Sequence, residues 1–456
     1  MVGVLKRAAV LRIIAGLAAP VALLQPQCAA AQGADVRALV DAYNTSGQQL
    51  FKRFAPSHGN VVFSPYSIGT AMAMALSGAR GENAAQMAKV LHQTLPRPAM
   101  DAANASVLAT LNGYDRSAET PACPEMMQWS GQQCESAATA DGRCPFAARR
   151  ENDRCIADPT RRPPSAQLRV ADALMQAKAG GLVAQEYSAL LKDKYGADVL
   201  QGVSLGDVND WVKRKTAGKI DHIIDQLPDV VLLNAVYFKA RWELTFGKDL
   251  TEQKPFNITR AQKVPVPTMQ RTGRFSVVTR NDYRAIRIPY DVSELGMIIV
   301  LPKKIDGVGR IGAEMTAQEL SKLGAALRAD QGKLVELEMP RFKINYEIGN
   351  LVSLFKQAGM TRAFDRRQAD FSGITGRPAK DLPFWIDDIR HRALIEVMED
   401  GTEAAAVTAI SMRAASARPQ PEPKPEPFHI DHPFLFYIVD NATGALLFQG
   451  RVANPQ

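Results

Sequence analysis

The feature that most constrains this 456-residue chain lies near its end, in residues 391–418, HRALIEVMEDGTEAAAVTAISMRAASAR. Ala393 to Val397 read as a buried strand, and Gly401 as the point where the chain can reverse, since glycine tolerates the backbone angles of a tight reversal. A second strand is predicted from Thr402 to Met412. At period two, Thr402, Ala404, Ala406, Thr408, Ile410 and Met412 share one face, and Glu403, Ala405, Val407, Ala409 and Ser411 share the other. The first face is small or apolar enough to be buried at little steric cost. The run that follows, ARPQPEPKPEPFH, alternates proline with polar residues and is read as a stiff polyproline rod that cannot pair as a strand. A segment written like a central strand thus leads into one that suits an exposed loop.

Within this stretch EDGTEAAA, and downstream HPFLFYIVDNATGALLFQGRVANP, resemble the hinge and C-terminal signature of the serpin family. NVVFSPYSIGTAMAMALSGARGENAAQMAKVL, DVNDWVKRKTAGKI and VVLLNAVYFKARWELTF are similar to further family motifs, in the family's order. The likeness runs from about Asp35 to the C-terminus, interrupted by one insertion at residues 114–164. It implies a single mixed α+β domain over residues 35–456. That domain would have a large central mixed sheet able to accept an extra strand, two smaller sheets, about eight or nine helices, and a reactive loop at 399–432 with a proline-rich part at 419–427.

The net charge of +8 includes Lys6, Arg7 and Arg12, which precede any acid; the remainder is too mildly and diffusely basic to argue for nucleic acid or an anionic membrane. Those cations are followed by the apolar run Ile13 to Leu24 and by Ala29-Ala30-Ala31, the pattern of a secretory signal peptide over residues 1–31. The run is too short, and too interrupted by Pro20, for a membrane anchor. Gln25-Pro26-Gln27 argues against lipidation at Cys28. A secreted or periplasmic protein meets oxidising conditions, so Cys123, Cys134, Cys144 and Cys155 are expected to form two disulfides, in any of three pairings. Their spacings lack the close pairs of a zinc site, and no metal or other cofactor is expected.

Apolar residues at helical spacing predict a first helix over Asp35 to Phe54. Ser64 reads as an N-cap with Pro65 at the first helical position, ahead of a helix buried all round. The insertion is rich in Ser, Gly, Pro and charge, shows no sustained period, and is expected to be a compact, cross-linked excursion; the resemblance implies that it lies between the fourth helix and an early strand of the main sheet. Leu168 to Ala177 resumes a regular strand pattern, and Leu182 to Tyr195 reads as helical. The apolar run Val230 to Val236 is broken only by Asn234, an amide that is costly to bury without partners. The resemblance supplies those partners in a polar cluster of Ser64, Ser67, Asn234 and His391 where the main sheet opens. It also places Asn209 and Trp211 inward on a helix crossing the sheet, and Trp242 where a mobile strand first enters.

Catalytic patterns are weak. Ser353-Leu354-Phe355-Lys356 matches S-x-x-K, but no K-T-G follows and the segment fits an amphipathic helix. His429 and His432 offer two imidazoles with no third ligand in view. Neither G-x-S-x-G nor a phosphate-binding glycine loop occurs, so the chain is not read as an enzyme.

The resemblance implies instead a monomeric inhibitor of serine-type endopeptidases acting as a suicide substrate. The protease attacks the loop, an acyl-enzyme forms, and the freed segment inserts as a new strand, carrying the protease with it. An inserted strand of about a dozen residues moves its end by roughly 40 Å. Each new ladder hydrogen bond adds about 1 kcal/mol net, so the uncleaved state must be a kinetic trap. The hinge would comprise Glu399, Gly401, Thr402, Glu403, Ala404, Ala405 and Ala406. The family's usual spacing sets the reactive bond at Ala415-Ser416, which suits elastase-like or subtilisin-like enzymes; Arg413-Ala414, which suits trypsin-like ones, is the rival. Val407, β-branched where the family is usually smaller, and the long proline-rich run are departures from the pattern. A non-inhibitory carrier or chaperone, and an inhibitor of cysteine proteases, are the competing functions. No basic helix face precedes the insertion, so no heparin-like site is expected.

Overall fold

A computed structural model describes residues 24–54, 59–116, 119–138, 143–145, 148–152, 154–157, 159, 165–177, 182–349, 351–402 and 424–456, with side chains of the first helix from Gly33 onward. Most of the predicted signal peptide, and the loop residues Glu403, Ala404, Ala405, Ala406, Arg413, Ala414, Ala415 and Ser416, lie outside the described residues.

Helix α1 (Leu24–Phe54) begins well before Asp35, because the alanine-rich run read as a cleavage site is itself strongly helix-forming. Strand β1 (Val61–Phe63) leads into α2 (Pro65–Gly78), every residue of which is buried. Its start follows from sequence: the Ser64 hydroxyl accepts from Ser67 N, and Pro65 occupies the position whose N–H needs no partner. Helices α3 (Gly81–Val90) and α4 (Arg97–Asn112) follow. The insertion forms β2 (Gln128–Trp129), β3 (Cys134–Ala137), β4 (Arg149–Glu151) and β5 (Arg154–Ala157), an antiparallel sheet in the order β2-β3-β5-β4. The pairings left open by sequence resolve as Cys123–Cys134 and Cys144–Cys155, with Cα–Cα distances of 5.6 and 5.4 Å.

The chain re-enters the body as β6 (Ala166–Gln176), then α5 (Gln185–Leu190), whose last turn widens into a π-helical turn closed by Gly196 at φ +64°. Strand β7 (Asp198–Gln201), α6 (Leu205–Lys215) and β8 (Val230–Arg241) come next. Strands β9 (Glu252–Asn257), β10 (Lys263–Thr279), β11 (Tyr283–Pro289) and β12 (Leu295–Pro302) precede helices α7 (Val308–Glu314) and α8 (Ala317–Ala329). After them run β13 (Lys333–Pro340), β14 (Phe342–Ile348), α9 (Leu351–Gln357) and α10 (Ser372–Thr375). Strands β15 (Asp388–Met398), β16 (Gly401–Thr402), β17 (Glu426–His429), β18 (Phe434–Asp440) and β19 (Leu446–Val452) complete the mixed α+β fold.

The central mixed sheet is six-stranded, in the order β14-β15-β16-β8-β6-β7. The two smaller sheets expected from the resemblance are joined into one nine-stranded sheet by β10, whose 17 residues pair with β9 and β13 at one end and with β11 at the other. Strand β8 shows why its sequence is nearly continuous in apolar residues. Val230, Leu232, Val236 and Phe238 enter the main core above α2, while Val231, Leu233, Ala235 and Tyr237 pack beneath α6 with Val208, Trp211 and Val212. A strand covered on both faces has no polar face to display.

One expectation is corrected here. Glu426–His429, read as unable to pair, forms β17 parallel to Val335–Glu338 of β13. It sits at the end of the sheet order, where a proline costs the least because one side of an edge strand needs no donor.

Candidate functional site

The seam between β8 and β15 carries the features of interest. The two strands pair in parallel from Asp388↔Val231 to Leu394↔Tyr237. Above that run they part, and β16 occupies the gap: Thr402 pairs with Val397 of β15 and Ala240 of β8, and Gly401 with Met398 and Arg241. Of the predicted second strand only Thr402 is thus among the described residues; with Gly401, read as the reversal point, it pairs on both sides. Gly401 is required by space. A Cβ there would stand 2.1 Å from the Ala240 carbonyl oxygen and 2.6 Å from the Arg241 Cα.

The turn from β15 into β16 is fastened by side chains. The Trp242 indole N–H donates to Met398 O at 2.9 Å, and its backbone N–H donates to Asp400 O at 3.0 Å. Trp242 is buried and stacks on Tyr290 with ring centroids 4.6 Å apart. The Tyr290 hydroxyl hydrogen-bonds the buried Thr402 hydroxyl at 2.8 Å. Glu399 is paired with Arg341, whose Nε donates at 2.6 Å, and accepts from the Thr251 hydroxyl. Burial works against the Glu399 charge, yet the Arg341 and Thr251 hydrogen bonds outweigh it and hold the carboxyl below its ordinary range. Asp400 meets Lys248 at 2.8 Å.

Lower on the seam, Ser64, Ser67, Asn234 and His391 come together, all fully buried. Asn234 and His391 are register partners, and Asp172 of β6 is the register partner of Asn234 on its other side. A row of three polar residues therefore crosses three strands on the face toward α2. The Asn234 amide nitrogen donates to Ser67 O at 3.0 Å, to Ser67 Oγ at 2.5 Å and to Asp172 Oδ1, while its oxygen accepts from His391 Nδ1. His391 Nε2 in turn accepts from Ser64 N at 3.3 Å. Burial depresses the His391 pKa to about 3, so the ring is neutral, with its proton on Nδ1.

Sequence reasoning missed Asp172 and Tyr290. Asp172 carries the signal that singled out Asn234, a lone polar residue in an apolar strand; Tyr290 follows Pro289 in an ordinary strand end and offers none. Asn209 binds the 223–224 turn, donating to Ile224 O at 3.1 Å, and Trp211 lies inward with its N–H on Asp198 at 2.8 Å. The weak catalytic patterns stay apart from any site. Ser353 and Lys356 are exposed on α9, and His432 is held between Asp431 and the Pro302 carbonyl, each at 2.7 Å. No cluster of three metal-binding side chains, and no helix long and apolar enough to cross a membrane, occurs among the described residues.

Comparison with known proteins agrees in every direction. A family model described as serpin (serine protease inhibitor) matches residues 41–455. An uncharacterized serpin-like protein of Thermococcus kodakarensis is 31% identical over 430 residues, covering 92% of this chain and 86% of that one. The leukocyte elastase inhibitor of Homo sapiens is 30% identical over 415 residues, covering 87% and 93%. Among solved structures, Serpin48 of the insect Tenebrio molitor superposes with a TM-score of 0.69 at 25% identity, covering 92% of this chain and 98% of that one.

Proposed function

This chain belongs to the serpin family, and from that premise we propose that it inhibits serine-type endopeptidases as a suicide substrate, by inserting its cleaved loop between β8 and β15. The observation that carries the proposal is the two-residue wedge β16, already paired with both neighbours at the head of a seam that is otherwise closed. Continuing β16 in its own register leads down the gap. Six residues beyond Thr402, Thr408 would come level with both Asn234 and His391, and its hydroxyl could replace the direct contact between them. Inward residues on the way, Ala404 and Ala406, are small enough to pass.

In this reading Glu399, Gly401 and Thr402 form the fixed root of the hinge, with Glu403 to Ala406 as the part that moves. The Ser64, Ser67, Asn234 and His391 cluster is the closure that parting strands must break, and Trp242 with Tyr290 caps the end where a strand enters. Ala415-Ser416 is proposed as the reactive bond, with Arg413-Ala414 as the alternative. The named activity of the leukocyte elastase inhibitor favours the small residue before the bond. The two disulfides fit an oxidising destination outside the cytoplasm.

Incubation with an elastase-like, a subtilisin-like and a trypsin-like protease, followed by denaturing electrophoresis and sequencing of the new N-terminus, tests this reading. The expected result is a covalent complex that survives detergent, a terminus at Ser416, and a large rise in melting temperature of the cleaved protein. Cleavage without complex and without that rise would leave a non-inhibitory carrier of the same fold.

A further inference from the structure

Asn234 can serve the seam in only one orientation. His391 Nε2 accepts from Ser64 N, so Nδ1 must carry the hydrogen, and the amide must turn its oxygen toward it. The two amide hydrogens then need acceptors on the opposite side. Ser67 takes one and Asp172 the other.

Asp172 is otherwise poorly provided for. It is fully buried, and its second carboxyl oxygen has no hydrogen-bond partner. The titratable groups that bear on it are Tyr43 from α1, Tyr66 from α2 and, across Asn234, His391 from β15. Burial keeps all three neutral near pH 7. On its own strand, Arg169 is engaged toward Asp115 at the far end. With no positive charge facing it among the described residues, burial outweighs the Asn234 hydrogen bond and pushes the Asp172 pKa up to about 7.

We propose that Asp172 is the positioning residue that sets how readily the central sheet opens. It fixes the amide that clasps β8 to β15, and loss of its proton leaves a buried charge whose cost is relieved when the clasp opens. The inference rests on the insertion mechanism proposed above. Once ionised, Asp172 has a charge that the Asn234 hydrogen bond satisfies only in part, and water reaches its other oxygen when β8 and β15 part. Ionisation therefore favours the open sheet.

The test avoids any protease, whose own activity depends on pH. A synthetic peptide with the sequence of residues 402–413 is offered to the intact protein between pH 5 and pH 9, and its uptake is timed by native electrophoresis and by the rise in melting temperature. The wild-type rate should increase about tenfold between pH 6 and pH 8, as the ionised fraction rises through a pKa near 7. Asp172→Asn keeps the acceptor oxygen and cannot ionise, so its uptake should stay at the slow, low-pH rate throughout. Asp172→Ala leaves the amide without its partner and should take up peptide rapidly at every pH. A wild-type rate independent of pH, or an Asp172→Asn profile that follows the wild type, would overturn the inference. Failure of the wild type to take up peptide at any pH, with no gain in stability on loop cleavage, would instead sink the insertion mechanism on which the inference depends.

Discussion

The Asp172–Asn234–His391 row makes a prediction about equilibrium stability that is invisible in the wild-type protein and appears only when the row is broken. His391 has its pKa depressed to about 3, so on acidification the unfolded chain gains a proton near pH 6.5 that the folded chain refuses; stability is lost as pH falls through that window. Asp172 has its pKa raised to about 7 from 3.8, so the folded chain keeps a proton that the unfolded chain has released; stability is lost as pH rises from about 4 toward 7. Between pH 4.5 and pH 6.5 the folded row holds one proton, on Asp172, and the unfolded chain holds one, on His391. The two slopes cancel. Asp172→Asn removes one side of that balance, and over those two pH units its stability should fall by about 2 kcal/mol on acidification, the slope approaching about 1.4 kcal/mol per unit once the unfolded histidine is fully protonated. His391→Gln removes the other, and its stability should fall by a similar amount as pH rises over the same range. Urea denaturation at pH 4.5, 5.5 and 6.5 measures both against the wild type, so that the background from other groups subtracts out. Profiles of the two variants that run parallel, rather than crossing, would show that the row does not hold its protons in this way.

Three further outcomes follow from the wedge and the insertion. Gly401→Val places side-chain atoms where the Ala240 carbonyl and Arg241 Cα lie, so the wedge should leave the sheet; the ratio of cleaved substrate to covalent complex should rise several-fold, measured as the stoichiometry of inhibition. Tyr290→Phe leaves the buried Thr402 hydroxyl without its partner and should destabilise the intact protein by about 1–2 kcal/mol in urea, with the stacking on Trp242 preserved. Reducing the two disulfides, each linking residues 11 apart, removes about 3 kcal/mol of constraint per loop and should raise hydrogen exchange within residues 119–157 while the main melting transition stays in place.

What could be read from the sequence depended on how local its cause was. The Ser64 cap, the all-buried α2 and the two-faced β8 follow from residue types a few positions apart, and periodicity finds such features. Asn234 stood out because an amide in an apolar run demands an explanation. Asp172 makes the same demand, but only register shows that it lies across from Asn234. Tyr290 is distant in sequence from Thr402, and no local pattern connects the two. The strands of the insertion were illegible because disulfides and short pairings, rather than apolar alternation, hold them; their core is little more than Met127, Cys134, Cys155 and Ala157. Pro427 was misjudged because its tolerance depends on β17 lying at a sheet edge, which is a property of topology.

The last stretch of chain has a practical meaning if the loop is cut as proposed. Residues after the loop are woven in on two fronts: β17 lies along β13, while β18 and β19, buried throughout, run between β12 and β1. A single cut upstream of them yields two polypeptides but one particle. Gel filtration of the nicked protein should report an unchanged size, and the short C-terminal fragment should separate only on boiling. On the proposed mechanism the tail stays behind as ballast, keeping the rest of the molecule in shape while the other half of the cut does its travelling.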